Sequence, residues 1–361
     1  MTWPMFVMRR FIRIFGKPGT LKNSSPACRK SMTDNTPEVM MWPALQAAQR
    51  QRGQTGLNPN VGAALWRDGR LVGVAATSNG GRPHAEAQLT IHKGDLLAVT
   101  LEPCAHEGAT PSCARLVAEA QPSMVHVACL DPDPRTSGRG IDIMRDVGIQ
   151  VTVGTCAEQA RHVMAGFMTR LILNRPHVRL KLAMSRDGRS ALEDGRSQWI
   201  TGPEARQHGH LLRAEADAIM VGAATFAADK PSLTCRIGLE GRDPKIFVLS
   251  GHEVMTDLPD HVHLLGKPGG SQNLRAVMTE LASMGVGNLL VESGGRLAAS
   301  LLQEGLVDEL CCYQSDLLLG ADARPALGSL VGQELSLPRG MVLKERRQLG
   351  QDQLTRYVVE G

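Results

Sequence analysis

No apolar run in the chain approaches the roughly 18 uninterrupted residues that a membrane-spanning helix requires, which argues against a membrane partner. Internal repeats and low-complexity stretches are missing as well. The eight cysteines, at positions 28, 104, 113, 129, 156, 235, 311 and 312, are too sparse among 361 residues to form the dense disulfide framework of a small secreted domain. A reducing cytoplasm is the expected setting, where a close cysteine pair more often signals a metal than a disulfide. Acidic side chains are absent from residues 1–31, which hold seven of the 40 basic ones; the remainder carries 33 basic against 36 acidic residues. The formal charge of +4 therefore originates in that first stretch, and the slightly acidic remainder speaks against a nucleic-acid partner.

Residues 1–38 read as a disordered extension, or as an over-long reading frame whose true start lies nearer Met32. A basic amphipathic targeting or membrane-surface segment is the alternative. The compact apolar core and small-residue cleavage site of a secretory signal are not there.

What is present is an ordinary globular composition, 42% hydrophobic and 21% charged, in a chain long enough for two cores. A helix is expected from Pro43 to Gly53. VGAALW and LVGVAAT flank Asp68-Gly69, a strong hairpin signal. LLAVTL, ARLVAEA and MVHVACL continue as strand, helix and strand, so the first half reads as a layered α/β domain. The pattern restarts after Arg175-Pro176 with RLKLAMS, AIMVGAATF, KIFVLS and NLLVES as strands. The expected organisation is a domain over residues 39–175 and a second α/β domain over 176–361.

PHAEAQ, residues 83–88, places a histidine and a carboxylate two residues apart. In TLEPCAHEGATPSCARL, Cys104 and Cys113 follow. One imidazole and two thiolates form a natural three-ligand zinc set that leaves the fourth position for water. Thr110-Pro111 reads as a helix N-cap with a first-turn proline, putting Cys113 where free N–H groups favour a thiolate. Pro83 likewise lets His84 and Glu86 open a helix, with Glu86 facing the metal's open position without ligating it. Exchanging an exocyclic ring amine for oxygen needs a nucleophile at neutral pH and a proton shuttle, and the order H-x-E, P-C, Cys is that of nucleobase deaminases. A closed structural zinc site would need a fourth ligand, for which His106 is the candidate.

The eight residues between the cysteines, with NPNVG at 58–62, PHAE, TLEPC and DPDP at 131–134, resemble the deaminase domain of the bifunctional riboflavin biosynthesis deaminase/reductase family. LKLAMSRDGR at 180–189, SQWIT at 197–201, LRAEADAIMVGAATFAADKPSLTCR at 212–236 and VESGGRLAASLLQEGLVDEL at 291–310 resemble that family's reductase domain. The resemblance implies a cytidine-deaminase-like α/β/α domain followed by a dihydrofolate-reductase-like α/β domain. It implies His84, Cys104 and Cys113 as ligands of one zinc ion (Zn2+), Glu86 as the catalytic proton shuttle and Asn58 as a substrate contact. For the reductase it implies NADPH against Ala183, Trp199, Thr225, Asp229, Ser250 and the segment Gly294, Gly295, Arg296, Leu297, Ala298, Ala299 and Ser300. Ser197, Arg213, Leu233, Arg236 and Glu292 would contact a pyrimidine ribosylamine phosphate, with Lys181 helping to orient it. NLLVESGGRLAASLL reads independently as strand, glycine turn and helix, suited to a phosphate at the helix N-terminus but lacking the G-x-G-x-x-G of a Rossmann domain.

The implied reactions are zinc-dependent loss of the 2-amino group from 2,5-diamino-6-ribosylamino-4(3H)-pyrimidinone 5′-phosphate, then NADPH-dependent reduction of the ribosyl to a ribityl chain. The sequence departs from the family at Thr77, usually histidine, at Arg82, usually glutamate, and at Ala109, usually lysine or arginine. Two other readings stand beside this one: a reductase fused to a weakened or re-targeted deaminase, and a zinc-stabilised binding protein without catalysis. A homo-oligomer is the default expectation for assembly.

Overall fold

The computed structural model describes residues 36–107, 111–197, 199–238, 241–250, 258–266, 272–328 and 340–359. These form two compact units, one of residues 36–176 with 282–287 and the other of 177–281 with 288–359. The expectation for residues 1–35 lies outside the described residues, whereas Thr36 caps the first helix and residues 37–38 belong to it. No described helix is long and apolar enough to cross a membrane.

Helix α1 runs Pro37–Arg50, six residues ahead of the expected start at Pro43. Thr36 caps it by accepting the Val39 amide, and Pro37 sits in the first turn, where its missing N–H costs nothing. Pro43 lies inside the helix; burial of Met40, Met41, Ala44, Leu45, Ala47 and Ala48 along one face outweighs the lost hydrogen bond. Gly62 lets the helix approach the sheet, since a Cβ there would fall 1.9 Å from the Ala44 carbonyl oxygen.

Strands β1 (Gly62–Arg67) and β2 (Arg70–Ala76) form the expected hairpin, with Asp68 at φ 49° and Gly69 at φ 72°, the left-handed pair that a two-residue primed turn requires. With β3 (Leu96–Val99), β4 (Met124–Val127) and β5 (Gln150–Val153) they make a sheet in the order β2-β1-β3-β4-β5. The β3, β4 and β5 strands are parallel and the rest antiparallel. Leu97, Ala98 and Val99 are consecutive and all fully buried. Because successive side chains point to opposite faces, both faces of this sheet must be covered, the α/β/α layering expected from the sequence. The cover comes from α1, α2 (Cys113–Ala120), α3 (Arg139–Asp146), α4 (Ala157–Val163) and α5 (Ala165–Leu173).

The second unit is built on an eight-stranded sheet of β6 (His177–Met184), β8 (Ala218–Gly222), β9 (Lys245–Leu249), β10 (Val262–Leu265), β11 (Asn288–Glu292), β12 (Glu309–Gln314), β14 (Met341–Leu349) and β15 (Asp352–Val359). Its order is β10-β9-β8-β11-β6-β12-β15-β14. The first six in that order are parallel, and the β14/β15 hairpin adds antiparallel to β12. Helices α6 (Pro203–Ala214), α7 (Ala223–Asp229), α8 (Leu274–Ser283) and α9 (Gly295–Gln303) connect the parallel strands, while β7 (Arg189–Ala191) and β13 (Arg324–Pro325) pair separately. This is the dihydrofolate-reductase-like arrangement that the second set of motifs implies.

Candidate functional site

In the first unit, two loops and a helix N-terminus deliver the donors. His84 precedes a single 3-10 turn, Glu86–Gln88, rather than opening a longer helix. Gln88 fixes that turn: its Nε2 donates to the carbonyls of Ala76 at 2.6 Å, His84 at 3.1 Å and Pro83 at 3.3 Å. Cys104 lies in the loop after β3. Cys113 is the first residue of α2, and the cap is Ser112, whose hydroxyl accepts the Arg115 amide, not Thr110, which lies outside the described residues.

The His84 Nδ1 lies 3.3 Å from Cys113 Sγ and 3.7 Å from Cys104 Sγ, and the three donor atoms lie within 4.8 Å of one another. Tetrahedral zinc, at about 2.3 Å from sulfur and 2.0 Å from nitrogen, asks for ligand atoms roughly 3.5–3.8 Å apart, so these residues fit that ion. The Cys113 amide donates to Cys104 Sγ at 3.3 Å, bringing the helix N-terminus onto the sulfur. A hydrogen bond from the Cys113 thiol, then one with His84, holds the Cys104 thiol down at about 4. The same thiol pair, burial and the nearby Glu86 push Cys113 up. A cation bound between them would favour both thiolates. His106 faces Thr136, 3.4 Å from its hydroxyl, and no fourth protein ligand joins the cluster among the described residues.

Glu86 is 3% exposed, and burial raises its carboxyl above the ordinary range, with the His84 imidazole acting in the opposite sense. A carboxyl moved toward neutrality beside a ligand set can exchange protons with a reactant. Asn58 packs against Gly81, in the turn leading into His84: a Cβ at Gly81 would fall 2.1 Å from its Nδ2. Thr77 is buried, its hydroxyl accepting the Val61 amide at 3.0 Å. Arg82 is exposed and close enough to His84 to oppose its protonation, whereas Ala109 lies outside the described residues.

Glu102, in TLEPC, has a role the sequence reading missed. Its buried carboxylate accepts the amides of Gly140 at 2.9 Å, Gly138 at 3.0 Å, Asp131 at 3.2 Å and Ile141 at 3.3 Å. Helix α3 has Gly138 at its N-cap, which offers no side-chain oxygen, and Glu102 supplies one from the loop that carries Cys104. The glycine at the cap position was the available signal. Glu102→Gln, which places an amide donor against those N–H groups, is expected to lower unfolding stability by about 2–3 kcal/mol, read from the denaturant midpoint at unchanged m-value.

In the second unit, a cleft of about 1810 Å3 is lined by residues of β6, α6, α7, β11 and α9. That exceeds the roughly 300–1,000 Å3 of a drug-sized ligand site and leaves room for a dinucleotide beside a substrate. It gathers Lys181, Ala183, Ser197, Trp199, Arg213, Thr225, Asp229, Leu233, Arg236 and Glu292, together with Gly294, Gly295, Arg296, Leu297 and Ser300. Ser250, Ala298 and Ala299 are buried and are not among the residues lining it, the alanines lying on the core-facing side of α9.

Glu292, at the end of β11, is central. Arg213 grips it through Nε at 2.8 Å and Nη2 at 3.0 Å, and Lys181, its register partner on β6, lies 3.7 Å away. Burial alone would raise the carboxyl, but Lys181 and Arg213 outweigh it and hold Glu292 at about 2. Arg213, which lines the cleft, thus has its guanidinium paired with a carboxylate. Arg236 remains exposed at the cleft. Trp199 is 64% exposed at the rim, with the Arg206 guanidinium 4.4 Å over its ring.

Gly294 caps α9 and donates its amide to the Thr225 hydroxyl at 3.2 Å. At Gly295 a Cβ would fall 2.6 Å from both the Pro325 carbonyl oxygen and the Gly328 amide nitrogen. This glycine is required by packing as well as by any close approach of a phosphate. Asp229 is pushed up by partial burial at the end of α7.

Comparison with known proteins covers both units. The family described as RibD C-terminal domain matches residues 176–354. The riboflavin biosynthesis protein RibD of Escherichia coli K12 is 36% identical over 357 residues, spanning 87% of this chain and 97% of that protein. The RibD of Aquifex aeolicus is 35% identical over 306 residues, 77% of this chain and 86% of that protein. Among solved structures, Acinetobacter baumannii RibD superposes with a TM-score of 0.80 at 32% identity, covering 90% of this chain and 99% of that one. A Thermotoga maritima diaminohydroxyphosphoribosylaminopyrimidine deaminase/5-amino-6-(5-phosphoribosylamino)uracil reductase gives a TM-score of 0.80 at 28% identity, with the same coverages.

Proposed function

From the premise that this chain belongs to the RibD family, and is a bifunctional deaminase and reductase of riboflavin biosynthesis, we infer how its two sites divide the work. The first unit is assigned the deamination, with His84, Cys104 and Cys113 holding zinc and Glu86 carrying protons. The second is assigned the NADPH-dependent reduction, with Glu292 and Arg236 at the substrate and the α9 N-terminus at the nucleotide.

The observation that carries the first assignment is the set of three donors within 4.8 Å beside a buried carboxyl that joins no ligand cluster. Bound zinc supplies a water whose pKa falls from about 15.7 toward 7. Glu86 passes one proton of the consumed water to the ring nitrogen and then the other to the departing amine, so that one water is consumed and one ammonia released. For the reduction, bound NADPH would supply a hydride to C1′ of the ribosyl group as the C1′–O ring bond opens, the released ring oxygen taking a proton from solvent. The cleft contributes alignment and a fixed negative charge at Glu292, neutralised by Lys181 and Arg213.

The test separates the halves. The diamino pyrimidine ribosylamine phosphate is offered to zinc-loaded protein without NADPH and ammonia is measured; the deaminated compound is then offered with NADPH and its oxidation followed. Both activities are expected, with about one zinc per chain. NADPH oxidation without ammonia release would reduce the first unit to a weakened or re-targeted deaminase.

A further inference from the structure

Helix α6 turns residues 206, 209, 210 and 213 toward the reductase cleft, the i, i+3, i+4, i+7 spacing of one helical face. Arg206 is engaged with Trp199 and with the Thr201 carbonyl, and Arg213 with Glu292. His210 has no role in the reading above, and its partners are backbone atoms of the loop that carries Arg236. Its Nδ1 lies 3.1 Å from the Thr234 carbonyl oxygen and 3.3 Å from the Arg236 amide nitrogen.

One ring nitrogen cannot serve both contacts. With Nδ1 bare it accepts the Arg236 N–H; with Nδ1 protonated it donates to the Thr234 carbonyl and leaves that N–H without its acceptor. The Thr234 carbonyl already receives Arg213 Nη1 at 3.0 Å and does not depend on His210. Among the described residues, the imidazole is the acceptor that faces the Arg236 amide. The loop needs such restraint: Leu233 adopts a left-handed φ of 53° that side-chain-bearing residues disfavour, and its side chain is buried. The Cys235 amide is held separately by Asp243 Oδ1 at 2.6 Å.

We propose that His210 is a positioning residue of the reductase: its bare Nδ1 fixes the backbone at Arg236, so that this guanidinium is presented to the phosphate end of the substrate. The proposal rests on the assignment of Arg236 to the substrate. The charged and titratable groups around the imidazole are Arg213 on its own helix, Cys235 and Arg236 on the loop, Asp243 behind Cys235 and Glu292 on β11. Burial, Arg213 and Arg236 disfavour the charged ring, while the Thr234 carbonyl and Glu292 favour it. Of the two neutral tautomers, the one protonated at Nε2 leaves Nδ1 bare to accept the Arg236 N–H, and this is the tautomer that restrains the loop.

Steady-state reductase kinetics with the full zinc-loaded chain, the deaminated substrate and NADPH, from pH 5.5 to 8.5, test this directly. His210→Ala is expected to raise KM for the phosphorylated substrate about tenfold, with kcat and the KM for NADPH changing less than about twofold. His210→Asn, whose side-chain oxygen reaches the place of Nδ1 but does not titrate, restores that KM. It also removes the part of the wild-type KM increase at acid pH that exceeds the phosphate's own titration. If His210→Ala leaves the substrate KM unchanged while Arg236→Ala raises it, the role of His210 is refuted and the Arg236 assignment stands. If Arg236→Ala leaves it unchanged, the underlying assignment fails first. If His210→Ala depresses kcat and both KM values alike, and Asn does not rescue, the histidine is only a structural support.

Discussion

Glu86→Gln is expected to lower the rate of ammonia release by about 10²–10⁴-fold, the usual worth of a positioned acid/base group, while NADPH oxidation with the deaminated substrate is unchanged. The substitution keeps the size of a side chain that is 3% exposed, so the surrounding packing persists. It also keeps the three donors, because Glu86 is not one of the cluster. Zinc content should therefore stay at about one per chain. The discriminating measurement pairs the ammonia assay with metal analysis on the same preparation. A variant that deaminates within threefold of wild type would remove Glu86 from the proton path. One that loses both zinc and activity would instead make it a ligand.

How far this site was legible in the sequence depends on how local each signal is. His84, Glu86, Cys104 and Cys113 stand in short, ordered motifs whose chemistry has few other uses, and the structure clusters the imidazole with the two thiols and sets Glu86 against Cys113. The hairpin at Asp68-Gly69 was equally readable because its φ values depend on two adjacent residues. Helix α1 was misjudged at Pro43 because proline's local penalty was weighed without the six side chains buried along that face. Glu102 escaped because its four amide partners lie 29 to 39 residues away. The same distance problem hid the engagement of Arg213 with Glu292, 79 residues apart in sequence and joined only by the order of the parallel strands.

That ion pair sets the second large effect. Arg213→Ala removes both guanidinium bonds to a carboxylate whose side chain is only 14% exposed, leaving Lys181 at 3.7 Å as its remaining ion-pair partner among the described residues. Breaking one side of a buried pair costs about 3–5 kcal/mol, because the surviving charge has lost its partner without regaining water. Thermal unfolding should lose that much stability in the reductase unit, and reductase kcat/KM should collapse while ammonia release persists. Arg213→Lys restores the charge but not the two parallel bonds, so it should recover only part of either quantity. The pH dependence has a definite sign. Glu292 is held at about 2, below the ordinary carboxylate value near 4.5, so its contribution is complete above about pH 4.5 and is lost as pH falls toward 2. Without Arg213 the folded-state carboxyl moves up, and the acid-induced loss shrinks because most of the stabilisation is already gone at neutral pH. Wild-type and variant unfolding curves should therefore converge on acidification. Curves that remain parallel between pH 5 and 2 would mean that Glu292 does not depend on Arg213 for its charge.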